Sequence, residues 1–255
     1  MKKIINYAIP IIAIAGILFF GINLWLIQAD YKEAQDEYQE LQNTMAPLVT
    51  KQQSGETTAE EEVLYPDIQV DMEALQAMNP DITGWIYIEG IAASYPIVQA
   101  DNNEYYLTHT FEKTENKSGS IFMDCDAAAD FSDRNTFLYG HNMKDGTMLG
   151  QLDEYSKDPE LCEQYPYVYI YTDKQVQKYT IYAYDVLSPE SDSYAVFSAD
   201  EDYDAYIERT TKRADYVREG FDLTEKPNLI SLSTCSNHVN RFLVQCALTE
   251  TFNRQ

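Results

Sequence analysis

Positive charge is scarce in this chain of 255 residues: 18 Lys and Arg stand against 42 Asp and Glu, a formal charge of −24. A surface of that sign repels nucleic-acid phosphates and anionic lipid headgroups, which sets nucleic-acid binding aside. It favours cationic or amine-bearing partners only weakly. Histidine is scarcer still, with three residues at 109, 141 and 238, so imidazole-dependent chemistry has few candidates. The four cysteines, 125, 162, 235 and 246, show none of the close C-x-x-C spacings of zinc or thioredoxin-type sites, and no metal framework is expected. In an exported protein an even count permits disulfides without requiring them, and a Cys125–Cys162 bridge is one pairing left open. The length allows one core domain plus an appendage rather than two large domains.

Charge is also missing from Ile4 to Ile27, 24 residues that follow Lys2 and Lys3. As a helix this run spans about 36 Å, enough for a bilayer core of about 30 Å. It is longer than the apolar core of a signal peptide, about 7 to 15 residues. The expectation is an uncleaved, single-pass anchor over 1–27, with Lys2 and Lys3 holding the N-terminus in the cytoplasm and the remainder outside. From Gln28 to Ala46, Tyr31, Ala34, Tyr38, Leu41 and Met45 recur at spacings of three and four, a helical stripe too short for a coiled coil. It reads as a solvated stalk helix. Thr50 to Glu62 has almost nothing apolar to bury and reads as a flexible linker. The chain thus divides into anchor 1–27, stalk and linker 28–64, and a folded body from 65 to 255.

Within the body, Asp71 to Met78 reads as a short helix stopped by Asn79-Pro80. Eight runs rich in β-branched and aromatic residues follow: 85–88, 94–98, 120–123, 135–139, 167–171, 177–186, 229–234 and 242–249. Turn signals such as Asn102-Asn103 and Thr172-Asp173-Lys174 separate them. Short strands without alternating helices imply an all-β sandwich or barrel. One helix is inserted, Ser198 to Tyr216, with Ser198 as N-cap and Tyr203, Tyr206 and Ile207 along one side.

Cys235 ends the strand Leu229–Thr234, so its thiol stands at a strand tip. Arg241 opens the next strand, which makes the two near neighbours in a hairpin. Cys246 alternates with Phe242, Val244 and Leu248 and reads as buried packing. His141, in Tyr139-Gly140-His141-Asn142-Met143, sits where a strand passes into a loop. A free thiol has a pKa near about 8.5. An imidazolium beside Cys235 lowers it and donates a proton to a leaving amine. A guanidinium such as Arg241 stabilises an oxyanion. Cysteine, histidine and arginine together point to acyl transfer. His238 competes with His141 only as a second choice, and His109 reads as structural or near the groove.

At these residues the chain resembles the sortases, membrane-anchored transpeptidases of Gram-positive surfaces. Their Thr-Leu-x-Thr-Cys pattern stands here as Ser231-Leu232-Ser233-Thr234-Cys235, followed by Arg241. Class B is the nearest match, through Asn79 to Trp85, Tyr95-Pro96-Ile97-Val98, Asn103-Glu104-Tyr105-Tyr106-Leu107, Gly119 to Asp124 and Tyr139 to Met143. The resemblance covers about residues 75 to 250. It implies a closed eight-stranded β-barrel with an N-terminal helix and a helix between late strands. It also implies Cys235 as nucleophile, His141 as acid/base and Arg241 as substrate and oxyanion group, with no metal or organic cofactor. The substrate would be a sorting-signal peptide cut at a Thr-Gly or Thr-Asn type bond, and the acceptor an amine of a cell-wall precursor. Ser94, Leu107, Thr108, Asn142, Ser233 and Thr234 are candidates to line the peptide groove. Three departures stand out: Ser231 where many members have Thr, a short Cys235–Arg241 connection, and Asn237 where some members have Asp. The last favours a Cys-His-Arg set over a Cys-His-Asp triad. The rivals are a cysteine peptidoglycan hydrolase, although papain-like versions place cysteine before histidine, and a catalytically silent surface scaffold.

Overall fold

The computed structural model describes residues 2–47, 65–91, 93–197, 199–235 and 240–254. The expected linker 50–62, the N-cap candidate Ser198, and Asn237 and His238 lie outside them. The N-terminal part is one α-helix, α1 (Lys2–Met45). From Ala13 onward it contains a stretch long and apolar enough to cross a membrane, none of it buried against the protein. The stripe beyond it behaves differently. Ala34, Tyr38, Leu41 and Ala46 are buried in the main core, with Tyr31 and Met45 packed at its edge. The expected solvated stalk is therefore a docked helix: the three-and-four spacing that marks a stripe is the face laid onto the barrel, where burial removes its apolar area from water.

The chain re-enters the body through α2 (Met72–Met78). The Asp71 carboxylate caps it by accepting from Ala74 N–H at 2.9 Å, and it ends at Asn79 before Pro80. All eight expected strands form: β1 (Ile82–Ile88), β2 (Ala93–Val98), β3 (Ile121–Met123), β4 (Asn135–Tyr139), β5 (Tyr167–Tyr171), β6 (Gln175–Leu187), and, after the insertion, Leu229–Cys235 and Arg241–Asn253. Two short helices, α3 (Glu154–Lys157) and α4 (Pro159–Gln164), join β4 to β5. The inserted helix α5 runs over Asp200–Arg213, shorter at both ends than expected. Its N-cap residue is Ala199, and three acids in its first turn with Lys212 and Arg213 in its last suit the helix dipole. Tyr216 is not helical. Tyr216–Val217 form a two-residue strand, β7, on Tyr184 and Ala183 of β6, so the last two strands are β8 (Leu229–Cys235) and β9 (Arg241–Asn253).

Neighbouring strands follow the order β5-β1-β2-β3-β4-β8-β9-β6, and β6 returns to β5 to close the barrel. Most pairs are antiparallel; β2 with β3 and β4 with β8 are parallel. Alternation sends Ile230, Leu232, Phe242, Val244 and Cys246 into the main core. Leu229 and Ala247 pack outward with Tyr203 and Tyr206 of α5.

A buried polar network fixes these strands in register. Ser231 Oγ donates to Asn135 Oδ1 at 2.9 Å, joining β8 to β4. Asn135 Nδ2 and Gln245 Nε2, from β4 and β9, donate to Tyr206 Oη at 2.9 and 2.8 Å. The same hydroxyl donates to Ser193 O at 3.0 Å. Burial pushes the Tyr206 phenol up to about 12, against the hydrogen bonds of this network.

Two predictions follow from this arrangement. Tyr206→Phe strands two amide donors and a carbonyl, and should lower stability by about 1–3 kcal/mol in urea unfolding. Asp81, between α2 and β1, accepts from Tyr106 Oη at 2.7 Å and pairs with Lys113 at 2.9 Å. Burial raises its carboxyl pKa, but the Tyr106 bond and Lys113 outweigh burial and hold it below the ordinary value. Its stabilisation is therefore complete above the unfolded pKa of about 3.9 and is lost as pH falls through the lower folded value. Stability curves of wild type and Asp81→Asn should converge below about pH 4; a constant gap down to pH 2 would contradict this.

Candidate active site

Two strand pairings decide where the chemistry-bearing residues lie. In the parallel pair β4–β8, Tyr139 stands opposite Ser233, and Gly140 N–H extends the ladder to Ser233 O at 3.2 Å. His141 lies two residues past Tyr139 and Cys235 two past Ser233. Both therefore fall at the same end of neighbouring strands, whose spacing is about 4.8 Å. In the antiparallel pair β8–β9, Cys235 is the register partner of Arg241. Three strands thus deliver His141, Cys235 and Arg241 to one rim of the barrel. Position 235 continues the alternation of Ser231 and Ser233, the outward side that Arg241, Leu243 and Gln245 share on β9.

The His141 imidazole is fixed from the side. Its Nε2 lies 2.7 Å from Leu107 O. A carbonyl only accepts, so Nε2 carries the hydrogen and Nδ1 is left for proton exchange. The backbone of His141 is held as well, its carbonyl accepting from Leu149 N–H at 3.1 Å. Arg241 is partly buried, with Nη1 3.5 Å from Asn240 O.

The other thiols are set apart by their surroundings. Cys162 and Cys246 are fully buried, and burial pushes both thiols up. Cys125, partly exposed between β3 and β4, is raised by burial and then by the Asp126 and Asp124 carboxylates. All three are free, so the Cys125–Cys162 disulfide left open by the sequence does not form. Asp124, Cys125 and Asp126 bring potential ligand atoms within 4.8 Å of one another. The Asp124 carboxylate, however, already accepts from Tyr139, Asn103 and Asp126 N–H.

The groove candidates divide. Leu107 is exposed and supplies the carbonyl that His141 binds. Thr108 beside it is exposed, its Oγ1 3.2 Å from His109 Nδ1. Asn142 forms a bridge with Met148 across the loop after His141. Ser233 Oγ lies 2.8 Å from Tyr194 Oη on the outer face. Thr234 is buried, and its Oγ1 has no hydrogen-bond partner among the described residues. Ser94, on β2, accepts from Trp85 Nε1 through its hydroxyl and from Gln42 through its carbonyl. It lies under α1, with β3 between it and β4. His109 stacks on Tyr105 with ring centroids 4.1 Å apart, and its Nδ1 is 2.8 Å from Tyr105 O, a structural role.

Sequence reasoning missed the aromatic wall beside this rim. Phe137 stacks with Tyr139 at 6.3 Å and meets Tyr194 at 5.6 Å, with Leu187 and Leu243 completing the cluster. Phe137 and Tyr139 alternate onto the outer face of β4, a pattern visible in the sequence. Tyr194 ends a single 3-10 turn, Asp192–Tyr194, and carries no such signal.

Residues 86–249 match the sortase domain family. Sortase B of Staphylococcus aureus is 28% identical over 240 residues, 93% of this chain and 91% of that protein. Sortase B of Listeria monocytogenes is 30% identical over 172 residues, 66% of this chain and 68% of its own length. The crystal structure of sortase B from B. anthracis in complex with AAEK1 superposes with a TM-score of 0.71 at 28% identity, covering 89% of this chain and 99% of that one. With a family match over most of the chain and a barrel that closes in the same way, this chain belongs to the sortase family of cysteine transpeptidases, in its class B branch.

Proposed function

We propose that this chain cleaves a C-terminal sorting signal of surface proteins through Cys235 and transfers the acyl group to an amine of a cell-wall precursor. The observation that carries the reading is the register that gathers His141, Cys235 and Arg241 at one rim. The Cys235 thiolate attacks the carbonyl carbon of the scissile peptide, and the Arg241 guanidinium balances the charge on the oxyanion. The C–N bond then breaks, the leaving amine takes a proton from the His141 imidazolium, and a thioester remains. An acceptor amine attacks the thioester, His141 takes up its proton, and the Cys235 thiolate leaves. A Cys-His-Arg set suffices for this sequence of steps, and Asn237 gives no support for an acidic third member.

The groove would run past Leu107, Thr108, Asn142 and Ser233, with the Phe137–Tyr139–Tyr194 wall taking apolar parts of the peptide. Ser94 and Thr234 fit that role less well, the one engaged with Trp85 and the other buried. The exposed apolar part of α1 fits a single-pass anchor. Lys2 and Lys3 favour a cytoplasmic N-terminus and an extracellular barrel. We read 1–27 as anchor, 28–64 as connection and 65–255 as catalytic part, with residues 30–46 of the connection lying on the barrel.

Mass spectrometry of the full chain in detergent, given sorting-signal peptides and an amine acceptor, should detect a thioester on Cys235 and an amine adduct as product. Cys235→Ala should abolish both, and an undiminished rate in that variant would sink the assignment. Free acid as the sole product, with acceptor in excess, would favour hydrolysis over transfer. In the folded protein, iodoacetamide at neutral pH should modify Cys235 first and Cys125 slowly. Cys162 and Cys246 should react only after denaturation, because burial holds their thiols protonated.

A further inference from the structure

The two segments that hold His141 are both fastened to α1. One is the stretch from Tyr105 to Ser120, which carries the Leu107 carbonyl. Tyr38 Oη donates to Gly119 O at 2.7 Å, accepts from Phe111 N–H at 3.2 Å and lies 3.1 Å from Ser120 Oγ. Glu37 Oε1 accepts from Glu112 N–H at 3.0 Å, and Asn116 Nδ2 donates to Asp30 O at 2.8 Å. Gly119 sits directly against the peptide that matters: a Cβ there would meet Tyr106 O at 2.5 Å and Leu107 O at 2.9 Å, and its φ is +57°. The backbone gripped by Tyr38 and the backbone that receives the His141 N–H are therefore in van der Waals contact, and one cannot shift without the other.

The second segment is the loop after His141. Gln35 Nε2 donates to Asp145 Oδ2 at 2.9 Å. The Tyr38 ring packs edge-on against Tyr95 at 5.3 Å, and Tyr95 Oη accepts from Met148 N–H at 3.0 Å. Met148 bridges to Asn142, and Leu149 N–H holds the His141 carbonyl. Tyr38 thus bears on both segments, directly on the first through its hydroxyl and on the second through Tyr95 of β2, which its ring packs against.

We propose that Tyr38, on the N-terminal helix, is a positioning residue for His141: by holding Gly119 and the Leu107 peptide against it, the hydroxyl keeps the imidazole in the orientation that places its Nε2–H on Leu107 O. The inference rests on the reading of His141 as the acid/base. It also makes α1 part of the catalytic machinery rather than a tether alone, so a soluble body cut after the linker would lack a support of its own active site.

The test uses the full chain in detergent micelles with 15N-labelled histidine, and Tyr38→Phe, which removes the hydroxyl and keeps the ring. In wild type, at a pH high enough to leave the ring neutral, the His141 imidazole, identified by the signal lost in His141→Gln, should show the Nε2–H tautomer. In Tyr38→Phe that signal should shift toward a mixture of tautomers, and kcat for transpeptidation should fall about tenfold with KM changed less than twofold, the scale of one lost hydrogen bond. An unchanged His141 signal in Tyr38→Phe overturns the proposal whatever the turnover. If Tyr38→Phe does not fold, Asn116→Ala loosens the same segment from Asp30 with Tyr38 intact, and the same two readouts decide. Wild-type turnover that survives His141→Gln would instead remove the acid/base reading, and the tautomer measurement would still report on positioning.

Discussion

The site depends on the register between β4, β8 and β9, and the register depends on a small polar network in an otherwise apolar wall. Side chains alternate between the faces of a strand, so a slip of one residue exchanges the two faces. For β8 that slip would take Cys235 off its place opposite Arg241 and bury Ser231 and Ser233 where Ile230 and Leu232 belong. Apolar alternation excludes that slip but discriminates weakly against a slip of two residues, which keeps each side chain on its own face. The Asn135–Ser231 bond and the shared Tyr206 hydroxyl discriminate strongly, because any other register leaves buried amides without partners. These groups stand two to three periods of alternation below the rim and touch no reacting atom, yet they decide which residues meet there.

Much of this was open to inspection in the sequence, for reasons that differ from element to element. The eight strands were legible because β-branched and aromatic residues cluster between turn signals. The Cys235–Arg241 pairing was legible because a short connection between two strands makes a hairpin. The pairing of His141 with Cys235 was not, since β4 and β8 are parallel and far apart in the chain, and a strand's periodicity does not name its partner; the family resemblance carried that step. β7 is too short for any pattern. The stripe from Tyr31 to Met45 was visible as a stripe, but periodicity cannot distinguish a face that docks from one that faces solvent. The docking surface is assembled from the loops at 105–120 and 142–148, which have no periodicity of their own.

The distribution of thiols follows the same division between wall and rim. Cys162 and Cys246 occupy the interior, where a neutral thiol behaves as a small apolar group and ionisation is opposed by the loss of water. Cys125 sits among carboxylates, which oppose ionisation by charge. Only position 235 combines a strand end with a cation as register partner and an imidazole just past the end of the adjoining strand. The same residue type therefore has three different chemistries set by its surroundings, on helix α4, in a loop and on strands.

The continuity of α1 carries a further consequence. A helix that runs unbroken from its exposed apolar stretch to the stripe laid on the barrel acts as a rigid axle. Each residue along it contributes a rotation of about 100° and an advance of about 1.5 Å. The azimuth of the barrel rim about that axle is thus encoded in a residue count between Ile27 and Ala34. Inserting two residues there would turn the rim to nearly the opposite side, while inserting seven would bring it back almost to its original bearing, about 10 Å farther along the helix axis.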